Sequence, residues 1–235
     1  MQLALITGAS RGLGRAIAEE LQTRGFEVVG LSRSRAEDVS YRQVEVDLSS
    51  SSGIEQALDT ISPVLKLAKS ILVVQNAALI EPVHRVGELD ATKLTAHVHT
   101  NLLAPMLLAN ALLSFDIPTS FIHVTSGAAK RPISGWSAYC GTKAGLDRFT
   151  ETLALELEGT PHRAALFNPG VMDTSMQAEI RSSTKEAFAD VEQFRSYETE
   201  GKLRSPETVG RVLVEAMIDQ PFENGKTYSI HDLIK

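Results

Sequence analysis

The 235-residue chain has one cysteine, Cys140, so no disulfide can close within it, and a reducing cytoplasm is the expected setting. A basic surplus is missing too: 23 Lys and Arg stand against 29 Asp and Glu, a net charge of −6, which argues against a general nucleic-acid binder. No apolar run approaches the roughly 20 residues of a membrane span. The start, Met1-Gln2-Leu3-Ala4-Leu5-Ile6, has no basic segment and is too short for the apolar core of a signal peptide. Histidines are few and scattered. His97 and His99 are two apart and face different sides of a helix, while His84, His123, His162 and His231 stand alone, so no metal site is expected. Repeats and linkers are lacking as well. A soluble intracellular protein without membrane or nucleic-acid partners is the expectation, with Cys140 as a small packing residue rather than a reactive thiol.

What is present is an alternation of short apolar runs with helical patterns. Leu3 to Thr7, Phe26 to Leu31, Arg42 to Val46, Ser70 to Gln75, Phe121 to Thr125, Ala164 to Phe167 and Lys226 to Ile230 read as strands, most buried on both faces. Helical patterns fall between them, the longest at Leu89 to Leu113 and Trp136 to Leu157. Ser205 caps and Pro206 opens a helix running to Asp219. The fold class is therefore α/β: one doubly wound Rossmann-type domain over residues 1–235, its mostly parallel seven-stranded sheet carrying helices on both faces. Residues 173–205 are polar with scattered Met and Phe and read as an excursion over a substrate site.

Between the first strand and the first helix stands Gly8-Ala9-Ser10-Arg11-Gly12-Leu13-Gly14. Gly8 suits a tight turn, Gly12 the approach of a pyrophosphate, and Gly14 close packing of helix on strand. The helix N-terminus offers its free N–H groups to phosphate. A Gly-rich turn without a ligand is the competing reading. At the end of the second strand, where an acid would hold the ribose 2′-hydroxyl of NAD, the chain has Ser32-Arg33-Ser34-Arg35. Arg33 and Arg11 could instead close on a 2′-phosphate, which favours NADP; otherwise they are two solvated arginines.

Tyr139 and Lys143 are four apart, hence on one helix face, and an ammonium beside a phenol favours phenolate. That makes a plausible general acid, although the pair alone occurs by chance in many helices. Pro105 lacks the N–H that would bond to the carbonyl of Asn101, which predicts a kink there and a carbonyl free to hold water. A kink that merely follows the protein's curvature is the alternative.

Together, Thr7-Gly8-x-x-x-Gly12-x-Gly14, Asp47-Leu48, Asn76-Ala77-Ala78, Asn101, Ser126, Tyr139-x-x-x-Lys143 and Pro169-Gly170 through Thr174 resemble the short-chain dehydrogenase/reductase family along the whole chain. The 13-residue step from Ser126 to Tyr139 also fits. Gln75-Asn76-Ala77-Ala78 departs from the usual Asn-Asn-Ala-Gly but keeps Asn76. The resemblance implies a catalytic set of Asn101, Ser126, Tyr139 and Lys143. Tyr139 would protonate the carbonyl oxygen as hydride arrives, and Ser126 would hydrogen-bond that oxygen. Lys143 would lower the Tyr139 pKa and hold the ribose, and Asn101 would hold a water through its carbonyl. Gly8, Ser10, Arg11, Gly12, Leu13 and Gly14 would line the phosphates and ribose of NADP(H), Asp47 the adenine, Val171 and Thr174 the carboxamide and phosphates. Ser32, Arg33, Leu48, Asn76, Ala77, Pro169 and Gly170 complete the expected cofactor site. A homodimer, or a tetramer, built on the long helices around Asn101 and Tyr139 is also implied.

Within the family, Asn168 to Gln177 and Glu200 to Glu207 resemble the benzil reductase and sepiapterin reductase-like group. Sepiapterin reductases anchor the pterin with an Asp in the last strand; Ser229 stands at that place here, with Asp232 close by. The difference favours an apolar or aromatic 1,2-dicarbonyl substrate, received by Ser126, Trp136, Met172 and Met176. Trp136 and the two methionines could equally be core or interface residues. A 3-oxoacyl-carrier-protein reductase is the alternative enzyme, and a silent NADP-binding sensor the alternative from another class.

Overall fold

In β1 (Gln2–Thr7) every residue after the first is buried, and successive side chains enter different cores. Leu3 and Leu5 face one cluster, Ala4 and Ile6 the other, as the two-residue period of a strand covered on both faces requires. The computed structural model describes residues 1–234. Its other strands are β2 (Glu27–Ser32), β3 (Arg42–Glu45), β4 (Ser70–Gln75), β5 (Thr119–Val124), β6 (Arg163–Asn168) and β7 (Thr227–Ser229). They lie in the order β3-β2-β1-β4-β5-β6-β7, every neighbouring pair parallel, in a Rossmann-like sheet. The connection reverses direction between β1 and β4, and such a switch point leaves a crevice at the carboxyl ends of the strands.

Helices cover both faces. α1 (Gly12–Thr23) and α8 (Pro206–Met217) bury Ile17, Leu21, Val209 and Leu213 against one side. α2 (Ser51–Leu65), α4 (Ala104–Leu113) and α5 (Ser137–Glu156) bury Ile54, Ile61, Leu108, Leu112 and Leu153 against the other. The Ser50 side chain accepts from the Gly53 N–H to start α2, and Ser205 accepts from Thr208 N–H to start α8. No helix among the described residues is long and apolar enough to cross a membrane.

Two stretches differ from the sequence expectation. The long helix before β5 is α3 (Ala91–Val98) and α4 joined through a π turn at His99–Leu103, where Ala104 N–H donates to His99 O, five residues back. Pro105 then falls at the second residue of α4, directly after the π turn, and has no N–H to donate back into it. At the place where the sequence predicts a kink the helix thus also carries an inserted residue, beside the bond that Pro105 cannot make. The 173–205 segment carries α6 (Ser175–Arg181) and α7 (Val191–Thr199) and is tied down rather than looped out. Its Phe188 stacks on Trp136 with centroids 4.7 Å apart and planes 9° apart, and Phe194 meets the same indole edge-on. Gly135 lies beneath, at φ 86°, where an added Cβ would stand 2.2 Å from the Ala187 carbonyl oxygen. The segment therefore docks on a residue that has to be glycine. The short α9 (Ile230–Leu233) follows β7 at the sheet edge.

Candidate active site

A cleft of 1270 Å³ opens at the switch point, walled by the residues that follow β1, β2, β4, β5 and β6. Its floor is knitted by short polar bonds. Thr7 Oγ1 accepts from the N–H groups of Asn76 and Ala77, both at 3.0 Å, and Asn76 Nδ2 donates to Thr7 O at 3.0 Å. Ser10 N–H donates to Ser32 Oγ at 3.1 Å, and the buried Tyr41 hydroxyl donates to Ala9 O at 2.7 Å. The Gly-rich turn is thereby fixed to three other elements before any ligand enters.

At this end of the cleft the structure brings together Gly8, Ser10, Arg11, Gly12, Leu13, Ser32, Arg33, Asp47, Leu48, Asn76 and Ala77. Gly14 stands apart from them: it packs under the turn, where an added Cβ would lie 2.3 Å from Gly8 O. Its place is beneath the cofactor site rather than in its wall. Arg35 is taken by Glu45 at 2.8 Å, whereas Arg11 and Arg33 are exposed, line the cleft and meet no carboxylate within 4.0 Å among the described residues. Asp47 is held below the usual carboxylate range, first by the N–H and hydroxyl of Ser49 and further by the nearby positive charge of Arg33. An extended, glycine-floored trench with unpaired cations at one end fits a dinucleotide.

At the other end Ser126, Trp136, Tyr139, Lys143, Pro169, Gly170, Val171, Met172, Thr174 and Met176 share the wall. Ser126 caps a single 3₁₀ turn, its Oγ accepting from Ala128 N–H at 3.2 Å, which leaves its hydrogen free to donate. Tyr139 is 7% exposed and Lys143 3%. Burial pushes the phenol up to about 12, with the Ser126 hydroxyl pulling the other way, and burial draws the lysine down to about 8 against the attraction of Asp147. The expected lowering of Tyr139 by Lys143 is absent from this conformation. The ammonium lies over the Tyr139 ring, 5.8 Å from its centroid, and donates to Val124 O at 2.8 Å rather than to the phenol oxygen, and burial of the phenol prevails. Tyr139 accordingly keeps its proton at neutral pH.

Trp136 is 4% exposed and sits edge-on to Tyr139 at 5.5 Å, so its larger part belongs to the aromatic cluster beneath α6 and α7. Met172 and Met176 are less buried. Asn101 lies outside the cleft wall at 1% exposure. Its Oδ1 accepts from Leu79 N–H and its Nδ2 donates to Leu79 O, both at 2.8 Å, which pins the loop after β4 to the π turn.

Two polar residues of this region were passed over in the sequence. Asp147 is 4% exposed on α5 and takes a short hydrogen bond from the Thr125 hydroxyl, while Lys130 Nζ stands 3.0 Å from its Oδ2, off the hydrogen-bond direction. His97 is wholly buried against Asn101 and Thr142. Both are four residues from a named partner, Lys143 and Asn101, so the i, i+4 spacing that revealed Tyr139 and Lys143 marks them too. His99 serves elsewhere, its Nδ1 2.8 Å from Leu48 O and its Nε2 3.2 Å from Ser51 Oγ.

Residues 2–185 match the short chain dehydrogenase family. Over all of both chains the protein is 40% identical to a benzil reductase ((S)-benzoin forming) of Bacillus subtilis strain 168. It is 32% identical to the benzil reductase of Bacillus cereus, covering 99% of this chain and 100% of that one. Among solved structures it is similar to the KRED1-Pglu enzyme, with a TM-score of 0.86 and 29% identity over 97% of this chain and 100% of that one.

Proposed function

Because the chain belongs to the short-chain dehydrogenase family, we propose that this carbonyl reductase uses NADPH to convert an apolar or aromatic ketone or 1,2-dicarbonyl to the hydroxy compound. The observation that carries the reading is a buried Tyr139, its phenol pushed up by burial, beside the Ser126 hydroxyl and sharing the wall with Trp136, Phe194, Tyr197, Met172 and Met176. Similarity to two benzil reductases supports the dicarbonyl class. When bound, the nicotinamide supplies hydride to the carbonyl carbon. Ser126 donates a hydrogen bond to the carbonyl oxygen and steadies the charge that grows there. Tyr139 delivers its proton to that oxygen, and Lys143 holds the ribose hydroxyls. Asn101 fixes the loop after β4, and its carbonyl, in the π turn ahead of Pro105, holds the water that returns protons.

The phosphate end supports NADP over NAD. Among the described residues Arg11 and Arg33 carry no carboxylate partner while Arg35 does, so two guanidinium groups remain for a 2′-phosphate. Residues 1–235 act as one cofactor-binding domain, with 173–205 closing the substrate side. Exposed Val98, Leu103 and Leu155 on the α3, π-turn and α5 surface suit a homodimer, and the lone Cys140 suits the cytoplasm.

NADPH consumption measured side by side with benzil, isatin, sepiapterin and an acetoacetyl thioester tests the reading. Turnover is expected with benzil and isatin and little with sepiapterin. Consumption with the thioester alone, or with none of the four, would overturn it.

A further inference from the structure

His97 is a buried imidazole to which the proposed chemistry assigns no part, and its surroundings dictate its protonation. Nδ1 lies 2.6 Å from the carbonyl oxygen of Glu81. A carbonyl only accepts, so Nδ1 carries the hydrogen. Nε2 lies 3.0 Å from Asn101 Nδ2. That amide cannot be turned over, because its oxygen already accepts from Leu79 N–H and its nitrogen already donates to Leu79 O. The second hydrogen of Nδ2 must therefore point at His97, and Nε2 must present a lone pair. Thr142 Oγ1, 3.0 Å away, is the remaining neighbour of Nε2 and can send its own hydrogen to Ala138 O at 2.9 Å.

We propose that His97 is a positioning residue: as the neutral Nδ1–H tautomer it completes the hydrogen bonds of Asn101, and through that amide it sets the Leu79 backbone in the wall of the cofactor cleft. A protonated ring would place N–H against N–H at Asn101 and would find its new acceptor in Thr142, on α5 beside Lys143. The clamp on Leu79 would then lose its support while His97 stayed hydrogen-bonded. Burial and Lys143 disfavour the imidazolium, against the Glu81 and Ala138 carbonyls, which favour it. Lys143 on α5 opposes a second positive charge, and Tyr139 presents its ring edge-on at 6.1 Å. The Glu81 carboxylate is turned outward to Lys93 of α3 at 2.8 Å. Burial, the largest influence, also disfavours the imidazolium.

The inference leans on the cofactor reading only for its binding measurements. Nitrogen NMR of ¹⁵N-histidine-labelled protein at pH 7.5 addresses the tautomer without ligand or turnover. A protonated Nδ1 and a bare Nε2 are expected for His97; the opposite tautomer would overturn the proposal. His97→Leu removes the acceptor at similar bulk, and NADPH should bind it about tenfold more weakly. His97→Gln restores an acceptor that does not titrate. It should bind NADPH within about threefold of the wild type and lose the fall in affinity expected of the wild type at pH values below the ordinary imidazole range. Equal affinity in all three proteins, or a Gln variant as weak as the Leu variant with the acid fall intact, would reduce His97 to packing. If His97→Leu does not fold, the NMR result and the Gln variant decide. A protein that binds no NADPH would refute the proposed function and leave the tautomer measurement standing.

Discussion

The two ends of the cleft are built on opposite terms. The nucleotide end is backbone and surface: a glycine turn fixed from below, with Arg11 and Arg33 standing in solvent. The carbonyl end is backed by a polar layer sealed inside, where His97, Asn101, His123, Lys143 and Asp147 are each at most 4% exposed and only Lys143 reaches the cleft wall. Charge is inexpensive at the first end and costly at the second. At the second, Lys143 is drawn to about 8 and His123 to about 3 by the same desolvation that raises Tyr139. Electrostatic roles at a buried site thus follow from what surrounds a group as much as from which group it is.

The contrast predicts unequal damage. Tyr139→Phe keeps the ring in place and removes the proton, so turnover with benzil should fall by about 10²–10⁴ while NADPH affinity, read by fluorescence titration, stays near that of the wild type. Loss of both together would show that the carbonyl end also holds the cofactor up. Asp147→Ala strands the buried Thr125 hydroxyl and leaves Lys143 without its counter-charge; a loss of about 1–3 kcal/mol in urea unfolding is expected. Arg33→Ala should weaken NADPH about tenfold and leave NADH unchanged, and equal losses for both cofactors would remove the 2′-phosphate reading. Lys130→Ala, at the solvent end of the Asp147 pair with its side chain 61% exposed, should cost under about 1 kcal/mol.

Acid separates the ends as well. His97 and His123 both bind protons more weakly folded than unfolded, so the unfolded chain holds more protons as pH falls below about 6.5. Stability should decline from there down toward pH 3, and His123→Phe, between Phe121 and Phe149, should flatten part of the slope in thermal melts. Lys143 gives the same sign at the alkaline side, with stability rising between about 8 and 10.5.

Legibility in the sequence divides along similar lines. The strands and the glycine turn were readable because two-residue alternation and a fixed loop spacing are local signals. Ser126, Tyr139 and Lys143 were readable as a set through the family resemblance. The lowered Tyr139 pKa failed because burial of the phenol, invisible in the spacing, outweighs the nearby cation, and Lys143 donates instead to Val124 O. The π turn escaped because one extra residue leaves no periodic trace, though Pro105 pointed to the right place. α6 and α7 escaped because Ile180, Phe188 and Phe194 acquire their burial from Trp136, some forty to sixty residues earlier in the chain. No rule of local pattern contains that partner.

The seat under Ala187 carries a practical meaning for changing what the protein accepts. The 173–205 segment rests on Gly135 and on the Trp136 ring, and the Met172–Arg204 bridge with Arg204 N–H donating to Val171 O ties its far end back. It is expected to act as an exchangeable roof over the substrate side. A transplanted segment from another reductase should seat here if it brings one aromatic ring for Trp136 and a carbonyl that fits the bare Cα at position 135. Libraries that randomise the roof can leave Ser126, Tyr139 and Lys143 untouched, but a side chain at Gly135 would lift every roof alike.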